Sequence, residues 1–194
     1  MRNNSKLSDD GILRVGLVGK MRAGKDEVAK YLWLDHGFEY PLAFGNALKR
    51  FAHEIFPDIP KNPKPRELYQ FMNVMRDFDE DVWVKHLNQS YESDISYRQT
   101  KGVVVSDARQ ENEIKWLKDN GFTLVKVEAP EALRKQRAKR EGDDVTDEQF
   151  EHRTEQFVDS VEVDYVINND GTLDDLYRKI DEVMTKIKSA KGDD

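Results

Sequence analysis

A pattern of two glycines and a lysine near the N-terminus constrains the fold of this chain more than any other feature. Gly19 and Gly24 flank four residues, Lys25 follows, and the segment lies between a mostly apolar run at 12–18 and a helical pattern. Glycines let consecutive backbone N–H groups turn toward phosphate oxygens, the lysine reaches the β- and γ-phosphates, and the next helix offers its positive N-terminal end. The strand before and the helix after predict a phosphate-binding loop; the alternative is an ordinary glycine-rich turn.

Apolar strands alternate with amphipathic helices along the rest of the chain. Helices separate the further predicted strands, which span 40–43, 102–107, 122–127 and 163–167. This alternation is typical of an α/β fold with a mostly parallel sheet and helices on both faces. We expect a loose polar tail over 1–10 and one domain over 11–190.

The composition argues against several classes of protein. The 194 residues carry a formal net charge of −7, which argues against general nucleic-acid binding, because that affinity comes from Lys and Arg neutralising phosphates. No cysteine is present, so disulfides and thiolate chemistry are excluded. The sequence shows neither the apolar core of a signal peptide nor an apolar run long enough to cross a membrane, so a cytoplasmic protein is expected.

Position 26 departs from the usual phosphate-loop pattern, in which the hydroxyl of a Ser or Thr after the lysine binds Mg²⁺. Asp26 stands there instead. A carboxylate is also a hard oxygen ligand for Mg²⁺, so Asp26 is a candidate metal ligand. The alternative is a carboxylate that only stabilises the positive end of the helix.

A carboxylate and an arginine lie at the end of the β-branched strand 102–107. Asp107 ends that strand and Arg109 comes two residues later. Ligand groups gather at the carboxyl ends of strands in doubly wound sheets. Asp107 is therefore a candidate for placing Mg²⁺, and Arg109 for binding an acceptor phosphate. Alternatively, Asp107 caps the following helix and Arg109 is a surface residue.

Three arginines recur at three-residue spacing on the predicted helix 130–140. Arg134, Arg137 and Arg140 therefore share one broad face, and an acidic, glycine-bearing turn that can act as a hinge follows. We predict a lid region over about 130–158, whose arginines meet the negative charge that spreads over oxygens during phosphoryl transfer. The alternative is a solvated helix face paired with nearby acids.

The region over about 44–100 is predicted to be helical and to bind the acceptor. Arg66 and Arg76 are candidates for contacting the acceptor's phosphate, and Trp83 for stacking on a base. Alternatively, the aromatic residues of this region form a core. The four histidines of the chain show no metal-binding spacing.

Three segments of the chain together resemble one family. The loop at 19–26, the strand end and acidic residues at 106–113 and the stretch at 163–172 resemble phage-type deoxynucleoside monophosphate kinases, within the wider P-loop nucleoside monophosphate kinase group. The resemblance implies a P-loop NTPase three-layer fold with a mostly parallel five-stranded sheet, a helical acceptor-binding insertion and an arginine-bearing lid. It also implies transfer of the γ-phosphoryl group of ATP to a (deoxy)nucleoside monophosphate in the presence of Mg²⁺.

The resemblance implies roles for the loop with Lys25, for Asp107 and Arg109, and for Arg137 and Arg140, whereas Arg66, Arg76 and Trp83 are expected from the residues themselves. The expected catalytic residues are Lys25, Asp107, Arg109, Arg137 and Arg140. The donor nucleotide is expected at Gly19, Met21, Arg22, Ala23, Gly24, Lys25, Asp26 and Glu27. The acceptor is expected at Arg66, Arg76, Trp83 and Arg109, and Mg²⁺ at Asp26 and Asp107.

Other functions stay open on the sequence alone. One is another small-molecule kinase, similar to phosphomevalonate kinase or dephospho-coenzyme A kinase. A second is a nucleotide-binding module without transfer. The sequence also allows a homodimer, and neither nucleic acid nor a membrane is expected as a partner.

Overall fold

The computed structural model describes residues 11–97, 100–142 and 153–192, with the main chain alone at 95–97 and 153–155. The predicted tail at 1–10 lies outside these residues. Within them, four parallel strands form one sheet in the order β2-β1-β3-β4. The strands are β1 (Leu13–Val18), β2 (Gly102–Ala108), β3 (Thr123–Glu128) and β4 (Tyr165–Asn168). All six residues of β1 are buried, as expected for an interior parallel strand.

The prediction of a fifth strand over 40–43 is wrong, because the sheet formed by the described residues has four strands. In its place Phe38 forms an isolated bridge to Gly102, and the Glu39 N–H donates to the Gly102 carbonyl at 2.9 Å. Pro41 lies within this segment and has no N–H to donate to a neighbouring strand. The remaining expectation, an α/β fold with a parallel sheet, is confirmed.

Helices cover both faces of the sheet. The described helices are α1 (Lys25–Asp35), α2 (Gly45–Ile55), α3 (Arg66–Asn73), α4 (Met75–Phe78), α5 (Val82–Tyr97), α6 (Glu111–Asp119), α7 (Glu131–Arg140), α8 (Arg153–Ser160) and α9 (Leu173–Lys191). Val15 and Leu17 share a core with α1 and α9. Gly16 faces the other way, since a Cβ there would lie 2.8 Å from Leu117 of α6.

The chain forms two compact units. Unit 1 comprises Met1–Pro41 and Thr100–Asp194 and contains the sheet, and unit 2 comprises Leu42–Gln99 and contains α2 to α5. Unit 2 has a small core of its own, built from Leu48, Ala52, Met72 and Trp83. Among the described helices, none has the length and apolar character needed to cross a membrane.

Candidate active site

The predicted strand–loop–helix arrangement is present, and its two glycines are required by the space around them. A Cβ at Gly19 would lie 2.5 Å from the carbonyl oxygen of Val127 in β3. A Cβ at Gly24 would lie 2.1 Å from Nδ2 of Asn169. Gly24 also has φ 106°, a left-handed conformation that disfavours any residue with a side chain. The loop between β1 and α1 therefore packs closely against the carboxyl ends of β3 and β4.

Lys25 is held directly over this loop. It is the first residue of α1, and only 6% of it is exposed. Its Nζ atom donates to the Gly19 carbonyl at 2.6 Å and to the Lys20 carbonyl at 3.0 Å. The ammonium group is thus fixed where the loop begins, close to the backbone groups that would surround a phosphate.

The two acidic residues after Lys25 have different surroundings. Asp26 is exposed in the first turn of α1. The Glu27 carboxylate accepts a hydrogen bond from the Tyr177 hydroxyl of α9 at 2.6 Å. That bond is the main reason why the pKa of Tyr177 rises to about 12. Of the predicted donor set, Glu27 is therefore engaged by α9, whereas Asp26 lies at the surface.

Two of the three predicted lid arginines contact the loop itself. Nη1 of Arg134, a residue that is only 4% exposed, donates to the Met21 carbonyl at 3.2 Å. Nη1 of Arg137 donates to the carbonyls of Arg22 and Ala23, each at 3.3 Å. Burial lowers the pKa of Arg137 from its usual value. This face of α7 is therefore a loop-contacting face and not a solvated one.

The rest of the predicted lid is described only in part. Arg140 ends α7 and is exposed. Residues 143–152 lie outside the described residues. Acidic residues on either side of them contact the loop: Asp159 forms an ion pair with Lys20 at 2.7 Å, and Glu141 forms one with Arg22.

Asn169 was predicted to lie in a turn, within the stretch 163–172 that carries the family resemblance, but it was not predicted as a site residue, and it contacts the loop. It follows β4, and its N–H donates to the Glu128 carbonyl at 2.7 Å, which continues the pairing of β4 with β3. The side chain is buried and donates through Nδ2 to the Ala23 carbonyl at 2.8 Å. Its Oδ1 accepts from Nη2 of Arg137 at 3.1 Å. The Gly-Asn-Asp-rich composition of this turn gave no signal for such a role.

Asp107 lies beside the end of β1. The next residue, Ala108, pairs with Val18, the last residue of β1 before the loop. Asp107 is half-buried, and the capping residue of α6 is Gln110. The alternative that Asp107 caps this helix is therefore wrong. Its strand position brings it to the same edge of the sheet as the phosphate loop.

The turn that carries Arg109 is fixed by a buried carboxylate. Glu113 is 3% exposed, and its Oε2 accepts from the N–H groups of Arg109 at 2.8 Å and Gln110 at 3.2 Å. Both bonds join α6 to the residues that follow β2. Glu113 was not among the predicted site residues, although it lies three positions after Gln110, the spacing of a capping box.

A cavity of about 400 Å³ adjoins the loop within unit 1. It is lined by charged and polar groups from the loop, the carboxyl ends of β3 and β4, and α7 and α8, among them Lys20, Lys126, Glu128, Arg134, Asp159 and Asp170. The volume falls in the usual range for small-ligand sites. Of its lining, Gly19 was a predicted donor-site residue, and Pro130, Glu131, Arg134 and Val158 fall within the predicted lid region.

The predicted acceptor residues of unit 2 differ in their burial and in their hydrogen-bond partners. Trp83 is 1% exposed and belongs to the core of the unit, as the alternative interpretation states. Its Nε1 and the Nε of Arg76 both donate to Oδ1 of Asn73, at 3.2 and 3.0 Å. Arg66 begins α3 and is half-buried. Asn73 thus connects Trp83 and Arg76, two of the three predicted residues.

Unit 2 also has a cavity of its own, of about 370 Å³, between the start of α2 and the middle of α5. Its polar lining comprises Asn46, Arg50, His86, Gln89, Ser90 and Ser93. None of these residues was predicted, because single polar residues on amphipathic helices give no motif.

The folding pattern has counterparts among solved structures. Crystal structures with similar folds include TT1252 from Thermus thermophilus, at 21% identity and a TM-score of 0.61, with 90% of this chain and 97% of that chain covered. Shikimate kinase from Acinetobacter baumannii, in complex with shikimate, superposes at 16% identity and a TM-score of 0.54, over 93% and 95% of the two chains. At these identities the similarity concerns the fold alone.

Sequence comparisons are more specific. A relative named deoxynucleotide monophosphate kinase, from Escherichia phage RB69, is 33% identical over 115 residues. That match spans 57% of this chain and 39% of the relative, so this chain covers well under two thirds of the relative's length. The model of the deoxynucleotide monophosphate kinase family matches residues 66–180, more than half of the chain. The chain therefore belongs to the deoxynucleotide monophosphate kinase family.

Proposed function

We propose that this protein transfers the γ-phosphoryl group of ATP to a deoxynucleoside monophosphate, giving ADP and a deoxynucleoside diphosphate. The observation that carries the proposal is the phosphate loop of unit 1, with the buried Lys25 amine held by the Gly19 and Lys20 carbonyls. Family membership supplies the class of acceptor.

The loop and the start of α1 bind the donor in this proposal. Phosphate oxygens accept from backbone N–H groups of the loop, and the N-terminal end of α1 adds its positive partial charge. Lys25 exchanges its two carbonyl partners for oxygens of the β- and γ-phosphates. The adjoining cavity of about 400 Å³ provides room for further parts of the nucleotide.

The residues present fit a magnesium ion that arrives with the donor. No group of three or more His, Cys, Asp or Glu residues suited to a metal occurs among the described residues. This suits Mg²⁺, which is commonly held by one or two carboxylates together with substrate phosphates and water. Asp107, beside the loop, and Asp26, in the first turn of α1, would hold it. When bound, the ion offsets negative charge on the transferring phosphoryl group.

Arginines supply the remaining charge. Arg109, in the turn fixed by Glu113, is proposed to bind the acceptor's phosphate. Arg137 and Arg140 are proposed to stabilise negative charge during transfer, because phosphoryl transfer depends on positioning and electrostatic stabilisation.

An acceptor screen tests the proposed function. ADP release from ATP is measured by a coupled assay with each common dNMP and NMP, and also with dephospho-coenzyme A and phosphomevalonate. We expect release that depends on a dNMP and is absent from a no-acceptor control and from Lys25→Ala. Release only with one of the other two acceptors would assign the chain to a different kinase reaction, and tight ATP binding without release under any condition would favour a binding module.

A further inference from the structure

Three consecutive carbonyl groups of the phosphate loop accept hydrogen bonds from side chains outside it. The Met21 carbonyl accepts from Arg134, the Arg22 carbonyl from Arg137, and the Ala23 carbonyl from both Arg137 and Asn169. In a trans peptide the C=O and N–H groups point in opposite directions. The amide N–H groups of the same peptide units therefore point away from α7, and one of them, that of Ala23, donates to the Lys20 carbonyl at 3.2 Å.

Asn169 holds this arrangement through every polar group it has. Its backbone N–H is bonded to Glu128 of β3, its side-chain NH₂ to the Ala23 carbonyl, and its side-chain oxygen to Arg137. Nη2 of Arg137 also donates to the Asn169 carbonyl, at 3.2 Å. The loop is thus linked to the sheet through the buried amide of Asn169, and to α7 through the guanidinium groups of Arg134 and Arg137.

The close fit at Gly24 shows how tightly Asn169 sits against the loop. A Cβ at Gly24 would come within 2.1 Å of the Asn169 side chain, a distance that no real contact has. Asn169 is itself only 6% exposed. Any change in the path of the loop at this point would therefore break the bond to Ala23 or collide with the amide.

We propose that Asn169 and Arg137 form a loop bracket, a pair of positioning residues that fixes the phosphate loop with its N–H groups turned toward the donor's phosphates. The inference rests on the proposed function, because it assumes that the donor binds at this loop. A preorganised ring of N–H donors binds an anion more tightly than a loop that must first be ordered. Asn169 acts through the loop and does not itself contact the reacting atoms.

Direct binding of ADP to the full chain, measured by calorimetry without acceptor, tests the loop bracket. Asn169→Ala leaves the buried Ala23 carbonyl with one donor fewer, and we expect the Kd for ADP to rise about tenfold. Asn169→Asp keeps the size but replaces the NH₂ donor with an oxygen, so it should weaken binding at least as much. With saturating ATP, we expect kcat to fall by less than the factor by which the donor's KM rises.

Arg137→Lys separates the loop bracket from a role of this arginine in charge stabilisation alone. A lysine amine keeps the charge but cannot span two carbonyls and Asn169 together, so the loop bracket predicts weaker ADP binding. Charge stabilisation alone predicts an unchanged Kd and a kcat that is largely retained, because the charge is kept. The double variant Asn169→Ala/Arg137→Ala should lose less affinity than the product of the single losses, because the two residues act on the same segment.

Asn120→Ala is the matched control. Asn120 also donates its side-chain NH₂ to a backbone carbonyl, that of Trp116 at 2.9 Å, but it lies at the end of α6, before β3. It should lower the unfolding midpoint without changing the Kd for ADP. Equal ADP affinity in wild type and in Asn169→Ala and Asn169→Asp, at similar unfolding midpoints, overturns the loop bracket alone. Absence of ADP binding by the wild type overturns the proposed function and the loop bracket with it.

Discussion

The two units of the chain differ in how their functional side chains are held. In unit 1, Lys25 and Arg137 reach backbone carbonyls of the phosphate loop, so the positions of their charges follow from the path of the main chain. In unit 2, Trp83 is held by apolar packing and by Asn73. A residue type therefore predicts a functional site only where the sequence also determines the conformation of the backbone around it.

The largest expected effect concerns Trp83. Trp83→Ala removes a fully buried core side chain and should lower the free energy of unfolding by about 3–5 kcal/mol. Phe78→Ala is the control, because the Phe78 side chain is 97% exposed and should change stability little. Urea titration of both variants measures the difference. A stable Trp83→Ala variant that has lost acceptor affinity would show that Trp83 stacks on the base instead.

Lys25→Ala should abolish transfer while the chain stays folded. Removing the amine that faces the donor's phosphates should reduce kcat/KM by about a hundredfold or more, or about 3 kcal/mol of transition-state stabilisation. Lys30→Ala removes an exposed lysine from the same helix and should leave the rate unchanged. Steady-state kinetics and circular dichroism measure the two properties. Wild-type rates in a folded Lys25→Ala variant would contradict the assignment of the loop.

Asp107→Asn should weaken the use of Mg²⁺. The neutral amide keeps the shape of the side chain but loses the charge, so the Mg²⁺ concentration for half-maximal rate should rise by about tenfold to a hundredfold. Asp119→Asn, at the far end of α6, should leave that concentration unchanged. EDTA should stop transfer in every variant. An unchanged Mg²⁺ requirement in Asp107→Asn would remove this residue from the metal site.

Glu113→Ala, in unit 1, should have a moderate effect on stability and on acceptor binding. It leaves the N–H groups of Arg109 and Gln110 without their carboxylate partner, and loss of such a cap lowers stability by about 1 kcal/mol. Because the turn carries Arg109, the acceptor's KM should rise while the Kd for ADP stays the same. A change in ADP affinity instead would place the effect at the loop.

The smallest effect is the loss of stability in acid. Hydrogen bonds lower the pKa of Asp175, bonded to Thr172 in unit 1, and of Asp79, bonded to Lys85 in unit 2. A carboxyl group whose pKa is lower in the folded state stabilises the fold above its unfolded pKa of about 3.9, and this contribution is lost as pH falls through the folded value. The urea concentration at the unfolding midpoint should therefore decrease as the pH is lowered below about 4. This decrease should be less steep in Asp175→Asn than in the wild type. If the urea midpoint depended on pH equally in the variant and the wild type, the Asp175 carboxylate would not contribute to stability in this way.

Much of unit 1 could be predicted because its signals are local. The loop glycines, Lys25 and the strand that ends near Asp107 lie in short segments whose backbone conformation dictates the residue type. The expected fifth strand is absent from the described residues, where Phe38 forms only an isolated bridge to Gly102. Asn169 and Glu113 could not be assigned, since their roles depend on contacts with Ala23, which is 146 positions away, and on the geometry of one turn. For Trp83 the sequence could not distinguish two roles, because core packing and base stacking favour the same residue type.

Transfer of label from [γ-³²P]ATP tests the central claim most directly. The full chain is incubated with the labelled ATP, Mg²⁺ and each deoxynucleoside monophosphate, and the products are separated by chromatography. The account predicts that label appears in a deoxynucleoside diphosphate, with little in inorganic phosphate and none transferred by Lys25→Ala. Label that stays in ATP or passes only to inorganic phosphate with every acceptor would contradict it.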